Sequence, residues 1–430
     1  MIRPQSYANY VRFPAKHRLD RAAGRSAVAA QRAAGRASNV SEVNTRYEGL
    51  FRASQHAARR RATLLLGVSI VVFAVFRIFL SHATYSDLKI YRIEGFAVRN
   101  GWDLYGHLPG MQGFATYPPF AAVAFILATP LSVVTLEVLY VAATIALLVW
   151  ASIACCRLAG ATGEGMVTAG CVLAALSIWS EPVYRTLGFG QINVLLLALV
   201  IWDFTRAPDS RWRGVGVGLA AALKVTPGIF ILYLLLTRRY RFAVTAMVTF
   251  AVTFGLSAAI EPRATWRYWT DYLLDPHRVG RLENALNQTM RGLLVRVDHT
   301  RDTPHAQLLI ILAVLVFGLA AAVYAERVVG DRWGLPACAI TGLLTSPISW
   351  SHHWVWVVPV VALLWYHARV WLIPTVAIFW SFAVWDVPNT NELHFSALQI
   401  ALSEWYVIWG LGFLVLTAVI TRRRSALLLA

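Results

Sequence analysis

Cysteine is nearly missing from this 430-residue chain, and the four present, Cys155, Cys156, Cys171 and Cys338, all lie within apolar segments. There a thiol behaves as a small hydrophobe, and the spacing supports neither a disulfide framework nor a metal site. Charge is also scarce, at 14% of residues, against about 25% in ordinary globular domains. The nucleotide signatures are absent too. No Gly-x-x-x-x-Gly-Lys-Ser/Thr loop, dinucleotide Gly-rich fingerprint or His-Glu-x-x-His occurs, which argues against ATP, NAD or zinc chemistry. Energy must come from a gradient or an activated substrate.

What the chain has instead is apolar length: 58% hydrophobic residues and a mean hydropathy of +0.56. Such values predict an all-α polytopic membrane protein. Apolar runs suited to a hydrocarbon core of about 30 Å fall near 63–81, 118–134, 136–156, 166–180, 190–204, 214–236, 242–260, 306–325, 334–347, 354–368, 370–386 and 399–420. That makes about 12 transmembrane helices, with 166–180, 190–204 and 334–347 short enough to be tilted or broken half-helices.

Basic residues orient the chain. Residues 1–62 carry 12 Arg and 1 Lys against 3 acidic residues, and the tail 421–430 holds Arg422-Arg423-Arg424. Both ends are therefore expected to be cytoplasmic, with segments 82–117, 261–305, 348–353 and 387–398 on the outer face. Arg206, Arg211 and Arg213 fall outside on this count and conflict with it, which leaves the side of residues 181–190 open. The arm 1–62, without apolar periodicity, reads as disordered; its charge suits anionic lipid head groups, and no folded basic module for nucleic acid is present. The run 63–81 lacks a small-residue cleavage site and reads as an uncleaved anchor.

Polar groups stranded in or beside these runs are the candidates for chemistry. Asp87, in Ser86-Asp87-Leu88-Lys89-Ile90-Tyr91, places a carboxylate at a membrane surface, where it is expensive to keep. The same loop offers Tyr91, Glu94, Trp102, Asp103, Tyr105 and Tyr117, the last followed by Pro118 and Pro119, which stiffen the next run. Trp102 and Tyr105 suit either the head-group level of any membrane protein or stacking on a sugar. Ser346-Pro347-Ile348-Ser349-Trp350-Ser351-His352-His353 closes another run; adjacent helical side chains diverge by about 100°, so the two histidines do not share one metal. Each suits a phosphate contact, a general base, or a bond to a backbone carbonyl. Gln191 and Asn193 head one apolar run. Lys224 lies within another, where its ammonium needs either an anion or carbonyls freed by Pro227. Asn287 and Arg291 add polar groups to the loop 261–305.

The ordered set Asp87-x-x-x-Tyr91, Gly101-x-Asp103-Leu104-Tyr105, Tyr117-Pro118-Pro119-Phe120, Gly190-Gln191-x-Asn193, Lys224-x-x-Pro227 and Ser346-Pro347-x-Ser349-Trp350-x-His352-His353 resembles glycosyltransferase family 87 over about residues 63–420. The resemblance implies the C-type (GT-C) membrane fold and an actinobacterial mannosyltransferase of the plasma membrane, using polyprenyl-phosphate mannose on the outer face. It implies Asp87 as the base that deprotonates the acceptor hydroxyl, His352 as a catalytic group at the departing phosphate, and His353, Lys224 and Arg291 as further phosphate ligands. Tyr91, Glu94, Trp102, Asp103, Tyr105, Tyr117, Gln191, Asn193, Asn287 and Trp350 would then contact the substrates. The chain has no short Asp-x-Asp motif of the kind nucleotide-sugar enzymes use to hold a metal, and no acidic cluster offers a metal site, so neither metal nor soluble cofactor is expected. The implied acceptor is a phosphatidylinositol mannoside or lipomannan branch, with α-1,2 linkage. A C-type arabinofuranosyltransferase and a secondary transporter are the alternatives; the latter lacks paired halves with matching broken helices.

Overall fold

Apolar length without interruption decides where the longest helices lie. The computed structural model describes residues 53–429 apart from 78, 80–82, 112–113, 274, 276–277, 303 and 388–389, and regular structure among the described residues is helical apart from one isolated bridge, Asn287 to Trp350. The chain divides into two units, Met1–Arg60 and Arg61–Ala430. In the first, residues 53–60 are helical, so this part of the basic arm is not disordered as expected; residues 1–52 of the arm lie outside the described residues.

The second unit begins with α1 (residues 61–77), α2 (Ser86–Asn100), α3 (Pro119–Phe125) and α4 (Val133–Leu158). Then come α5 (Gly163–Ser177), α6 (Glu181–Phe189), α7 (Asn193–Thr205), α8 (Val215–Leu223) and α9 (Ile229–Leu236). After α10 (Tyr240–Ile260) and α11 (Pro262–Arg267), a π-helical turn covers Tyr268–Tyr272. The remainder is α12 (Met290–Val297), α13 (His305–Val329), α14 (Asp331–Thr345), α15 (Val357–His367), α16 (Leu372–Trp380), α17 (Ala397–Ser403) and α18 (Trp405–Leu429).

Among the described residues α4, α10, α13 and α18 are each long and apolar enough to cross a membrane, and α5 with α6 forms a further apolar pair bent by 68°. Their outward faces demand lipid: Val244, Val248 and Val252 on α10 and Leu309, Leu312 and Val316 on α13 are exposed. Apolar stripes of that extent are not left in water. The chain is a membrane protein.

Charges gather at one end of the helices. Asp203 accepts from the Val217 backbone N–H at 2.7 Å, and Arg239 binds both oxygens of Asp331 at 2.6 and 2.9 Å. Arg239 also stacks on Phe204 and Tyr233, and Arg213 on Phe242. At the opposite end four interruptions meet: the start of α2, the α6–α7 turn, the α8–α9 break and the segment between α14 and α15. The turn needs Gly190, whose φ is 80° and where a Cβ would collide with that of Leu88.

Several expected runs are divided differently. The run 118–134 is only the short helix α3 plus a tight turn, Ile126–Ala128, packed on α2, because Pro118 and Pro119 start a helix that has few residues to grow before the turn at Ser132 starts α4. The run 214–236 is two helices. Lys224 is therefore not within a helix but ends α8 with extended backbone, φ −152° and ψ 130°, ahead of the Pro227 turn. The run 399–420 begins instead at Trp405, after the separate helix α17.

Candidate active site at the helix interruptions

Asp87 occupies the first turn of α2, directly after Tyr85, whose backbone takes the left-handed conformation, φ 46°. A bulky residue there carries strain of about 1–3 kcal/mol, which is held by its neighbours. The Tyr85 N–H bonds the Gly188 carbonyl at 3.0 Å. The Gln191 amide donates to one Asp87 oxygen, and Ser86 Oγ donates to the other at 3.1 Å. Gln191 cannot turn its amide round, since its carbonyl oxygen accepts from Tyr91 at 2.8 Å and Tyr117 at 2.9 Å. The two phenol oxygens also meet at 2.9 Å.

Burial pushes the Asp87 carboxyl above the usual carboxylate range, against the lowering effects of Gln191, Ser86 and the Lys224 charge. A base of this kind is protonated, and idle, at the acid end. Gln191→Leu removes one lowering contact, so the acid limb of the rate profile is expected to move to higher pH; an unmoved limb in kcat/KM against pH would contradict this role.

Helical spacing puts Glu94 on the same face of α2 as Asp87 and Tyr91. It is buried, neither carboxyl oxygen has a hydrogen-bond partner among the described residues, and burial together with the Asp87 charge pushes its pKa up to about 8. Glu94 is thus a neutral acid in the fold at pH 7. Because the unfolded chain ionises this group from its ordinary 4.5, the stability it contributes is full below that value and is lost as pH rises to about 8. In thermal melts across that window, the balance of Tm is expected to shift towards Glu94→Gln as pH rises; a pH-independent difference would refute the assignment.

Two cavities flank the histidines. The larger, about 240 Å³, is lined by Ser86, Asp87, Phe189, Gln191, Leu286, Trp350, Ser351, His352 and Trp385. The smaller, about 40 Å³, is lined by Asn193, Lys224, His353 and mainly apolar groups from α7, α9, α14 and the segment before α15. It has room for only a few waters. The histidines diverge as expected, their rings 4.8 Å apart and perpendicular, one to each cavity. The Lys224 ammonium sits 2.9 Å from His353 Nε2 and 3.4 Å from Asn193 Oδ1, with the Tyr117 ring at 5.5 Å. Side chains rather than freed carbonyls hold it, and a protonated Lys224 fixes His353 with its proton on Nδ1.

His352 is held by its backbone: its carbonyl accepts from Thr186 Oγ1 at 3.0 Å and Asn193 Nδ2 at 2.9 Å. Asn193 is a positioning residue. Burial, then the Lys224 and Arg185 charges, hold the His352 imidazole well below its ordinary pKa, so it is neutral, and its Nε2 is buried without a hydrogen-bond partner among the described residues. A neutral ring carries one N–H donor, not the two of imidazolium.

The other sequence candidates divide. Trp350 lines the Asp87 cavity. Asn287 lies beneath it, fully buried, with Oδ1 accepting from the Ser349 N–H at 3.1 Å and Nδ2 donating to the Leu282 carbonyl at 3.0 Å. It shapes the Trp350 loop and lines neither cavity. Trp102 and Asp103 follow α2 at its far end, beyond Asn100, which stands about 20 Å from Asp87 by helical rise; Asp103 pairs with Arg267 at 3.1 Å. Tyr105 is buried between Tyr268 and Tyr272 and donates to the Tyr117 carbonyl at 2.8 Å, a strut behind the site. Arg291 opens α12 and lines neither cavity.

Three features escaped the sequence. Glu181, fully buried, accepts from Ser351 at 2.7 Å, Trp385 Nε1 at 2.6 Å and Tyr406 at 2.7 Å, locking α6 to the histidine segment and to α18. Tyr140 on α4 donates to the carbonyls of Thr186 at 2.8 Å and Gln191 at 2.9 Å. Trp385 forms a wall of the Asp87 cavity. An acid closing an apolar run is the only visible signal, at Glu181; nothing in the sequence separates Tyr140 and Trp385 from the other aromatic residues of the apolar runs.

The model of glycosyltransferase family 87 matches residues 115–347. Among curated proteins, the chain is 37% identical over 70% of its length, and 74% of the relative's, to a polyprenol-phosphate-mannose-dependent α-(1-2)-phosphatidylinositol mannoside mannosyltransferase of Mycobacterium tuberculosis. A polyprenol-phosphate-mannose-dependent α-(1-2)-phosphatidylinositol pentamannoside mannosyltransferase from another strain of that species is 35% identical over 66% of each chain. One of the former type from Mycolicibacterium smegmatis is 33% identical over 64% of this chain and 69% of its own. No solved structure matches.

Proposed function

This chain belongs to glycosyltransferase family 87, and on that premise we propose that it transfers mannose from polyprenyl-phosphate mannose to a phosphatidylinositol mannoside, forming an α-1,2 bond. The activities named for the similar proteins support donor, acceptor class and linkage. One observation carries the assignment of roles: Asp87 and His352, distant in sequence, line a single cavity at the helix interruptions.

The chemistry follows from that pair. The acceptor hydroxyl attacks C1 of a β-linked mannosyl phosphate, Asp87 takes its proton, the C1–O bond to phosphate breaks, and the anomeric carbon inverts in one displacement. Charge develops on the departing phosphate, where the His352 N–H supplies a preorganised donor and the Lys224 charge acts from behind the histidine pair. Tyr91 and Tyr117 hold Gln191 so that its amide faces the base. The reaction needs no soluble cofactor, because the phosphate ester is already an activated leaving group.

We read the architecture as the C-type membrane fold with about twelve crossings. The members differ from the sequence-based set: 118–134 drops out, and 214–236 divides at Lys224 into α8 and α9, broken half-helices that run in and back. Residues 181–191 then share the outer, periplasmic end with Asp87. Arg206, Arg211 and Arg213 move to the cytoplasmic end with Arg239, which removes their conflict with the charge rule and keeps both termini on the cytoplasmic side of the plasma membrane. Digestion of the product with linkage-specific mannosidases tests the acceptor assignment. Release of label by an α-1,2-specific enzyme is the expected result; only α-1,6 bonds, or transfer from polyprenyl-phosphate arabinose in place of mannose, would contradict it.

A further inference from the structure

One guanidinium beside the Asp87 cavity has no acceptor among the described residues. Arg185, half-buried on α6, stacks its flat face on the Trp385 ring at 3.5 Å. Its Nε is buried and unpartnered, and none of its N–H groups donates to another described residue. Glu181, one helical turn earlier, is not its hydrogen-bonding partner: both carboxylate oxygens are taken by Ser351, Trp385 and Tyr406. The Trp385 indole N–H is used on Glu181, so the ring that carries Arg185 is fixed.

The surroundings give that cation a direction. Trp385 and His352 line the Asp87 cavity, with Phe189 against both rings at 6.3 and 5.3 Å. A second guanidinium, Arg77, packs on Tyr184 at 4.8 Å and against Gly188, where a Cβ would stand 2.8 Å from it. Its positive charge adds to that of Arg185 on this side of the cavity, and a cationic wall of this kind favours an anion. Stacking occupies the face of a guanidinium and leaves its N–H edge, which matches the oxygens of a phosphate in bidentate fashion.

We propose that Arg185 is a phosphate-binding residue of this site, holding the phosphate of the lipid-linked donor from the side of His352 opposite Lys224; the inference rests on the mannosyl-transfer reading above. Trp385 and Glu181 are positioning residues for it. Neither cation lines the Asp87 cavity itself: Lys224 stands beyond one wall, in the smaller cavity, and Arg185 beyond the other, on the face of Trp385, with the neutral His352 between them. Arg185 holds the phosphate as its ester bond to mannose breaks, and gives up no proton.

The test measures equilibrium binding of polyprenyl phosphate, and separately of a phosphatidylinositol mannoside, to full-length protein in lipid nanodiscs. Wild type is expected to bind polyprenyl phosphate more tightly than the unphosphorylated polyprenol. Arg185→Gln is expected to weaken polyprenyl phosphate binding by about 10–100-fold while leaving polyprenol and acceptor binding unchanged. Arg185→Lys keeps the charge without the fork, so an intermediate loss is expected; it carries the test if the Gln variant does not fold. Unaltered polyprenyl phosphate binding in the folded variants overturns the proposal, as does a loss confined to the acceptor, whose phosphodiester would then be the true ligand. Wild type that fails to distinguish polyprenyl phosphate from polyprenol removes the mannosyl-transfer reading itself, and the proposal with it.

Discussion

Asp87→Asn is expected to lower mannosyl transfer by about 10²–10⁴-fold or more while leaving a folded protein that still binds donor. The size of the effect follows from the single-displacement scheme, in which one group must accept the proton of the attacking hydroxyl. An amide matches the carboxylate in shape but cannot take a proton. The contacts around position 87 tolerate the change in part: with the new amide oxygen turned to Ser86 that bond is kept, while the new NH₂ group meets the Gln191 amide as a second donor. Donor binding, measured beside the rate, shows whether the fold has absorbed that mismatch. The pH dependence separates a catalytic role from a structural one. Burial raises the Asp87 carboxyl, so wild-type kcat/KM should fall as pH drops through that raised value, whereas the residual rate of Asp87→Asn should lack that limb.

His352→Ala is expected to cost about 10²–10³-fold in kcat with a smaller change in the acceptor KM. The side chain supplies a donor aimed where phosphate charge grows, so its removal is felt most in the transition state. Its backbone anchor remains, since Thr186 and Asn193 bind the carbonyl rather than the ring. A merely structural His352 would show the reverse: donor and acceptor KM both disturbed, with kcat spared. Because the ring is held neutral, the rate should not decline as pH rises through the ordinary histidine range. His353→Ala should cost less, as that ring faces the small Lys224 chamber and not the Asp87 cavity.

The long elements were readable because composition alone demands them: α4, α10, α13 and α18 are apolar throughout and have few breaks. The broken elements were harder. Lys224 looked helical from the apolar residues on both sides, yet Pro227 and Gly228 stop the helix, and the ammonium then finds His353 and Asn193. Local pattern cannot show such a partner, since residue 353 comes from another helix pair.

The same limit governed the site. Asp87, Gln191, Lys224 and the histidine pair were legible as polar groups that an apolar chain would not keep idly. Trp102, Asp103 and Arg291 shared that polarity but stand outside the cavity, the first two because α2 carries them a helix length away from Asp87. Arg185 and Glu181 were overlooked for the opposite reason. A Glu and an Arg one turn apart suggest a surface ion pair, and only the tertiary structure shows the Glu spent on Ser351, Trp385 and Tyr406, with the Arg left on the face of Trp385.

The most direct measurement offers purified wild-type protein in nanodiscs two labelled donors in parallel, β-polyprenyl-phosphate mannose and a nucleotide-linked mannose, with a phosphatidylinositol mannoside acceptor, and reads the anomeric configuration of the new bond. The expected result is an α-mannoside made from the lipid-linked donor alone. A β-mannoside, or transfer from the nucleotide-linked sugar, would contradict an inverting displacement of polyprenyl phosphate assisted by one carboxylate.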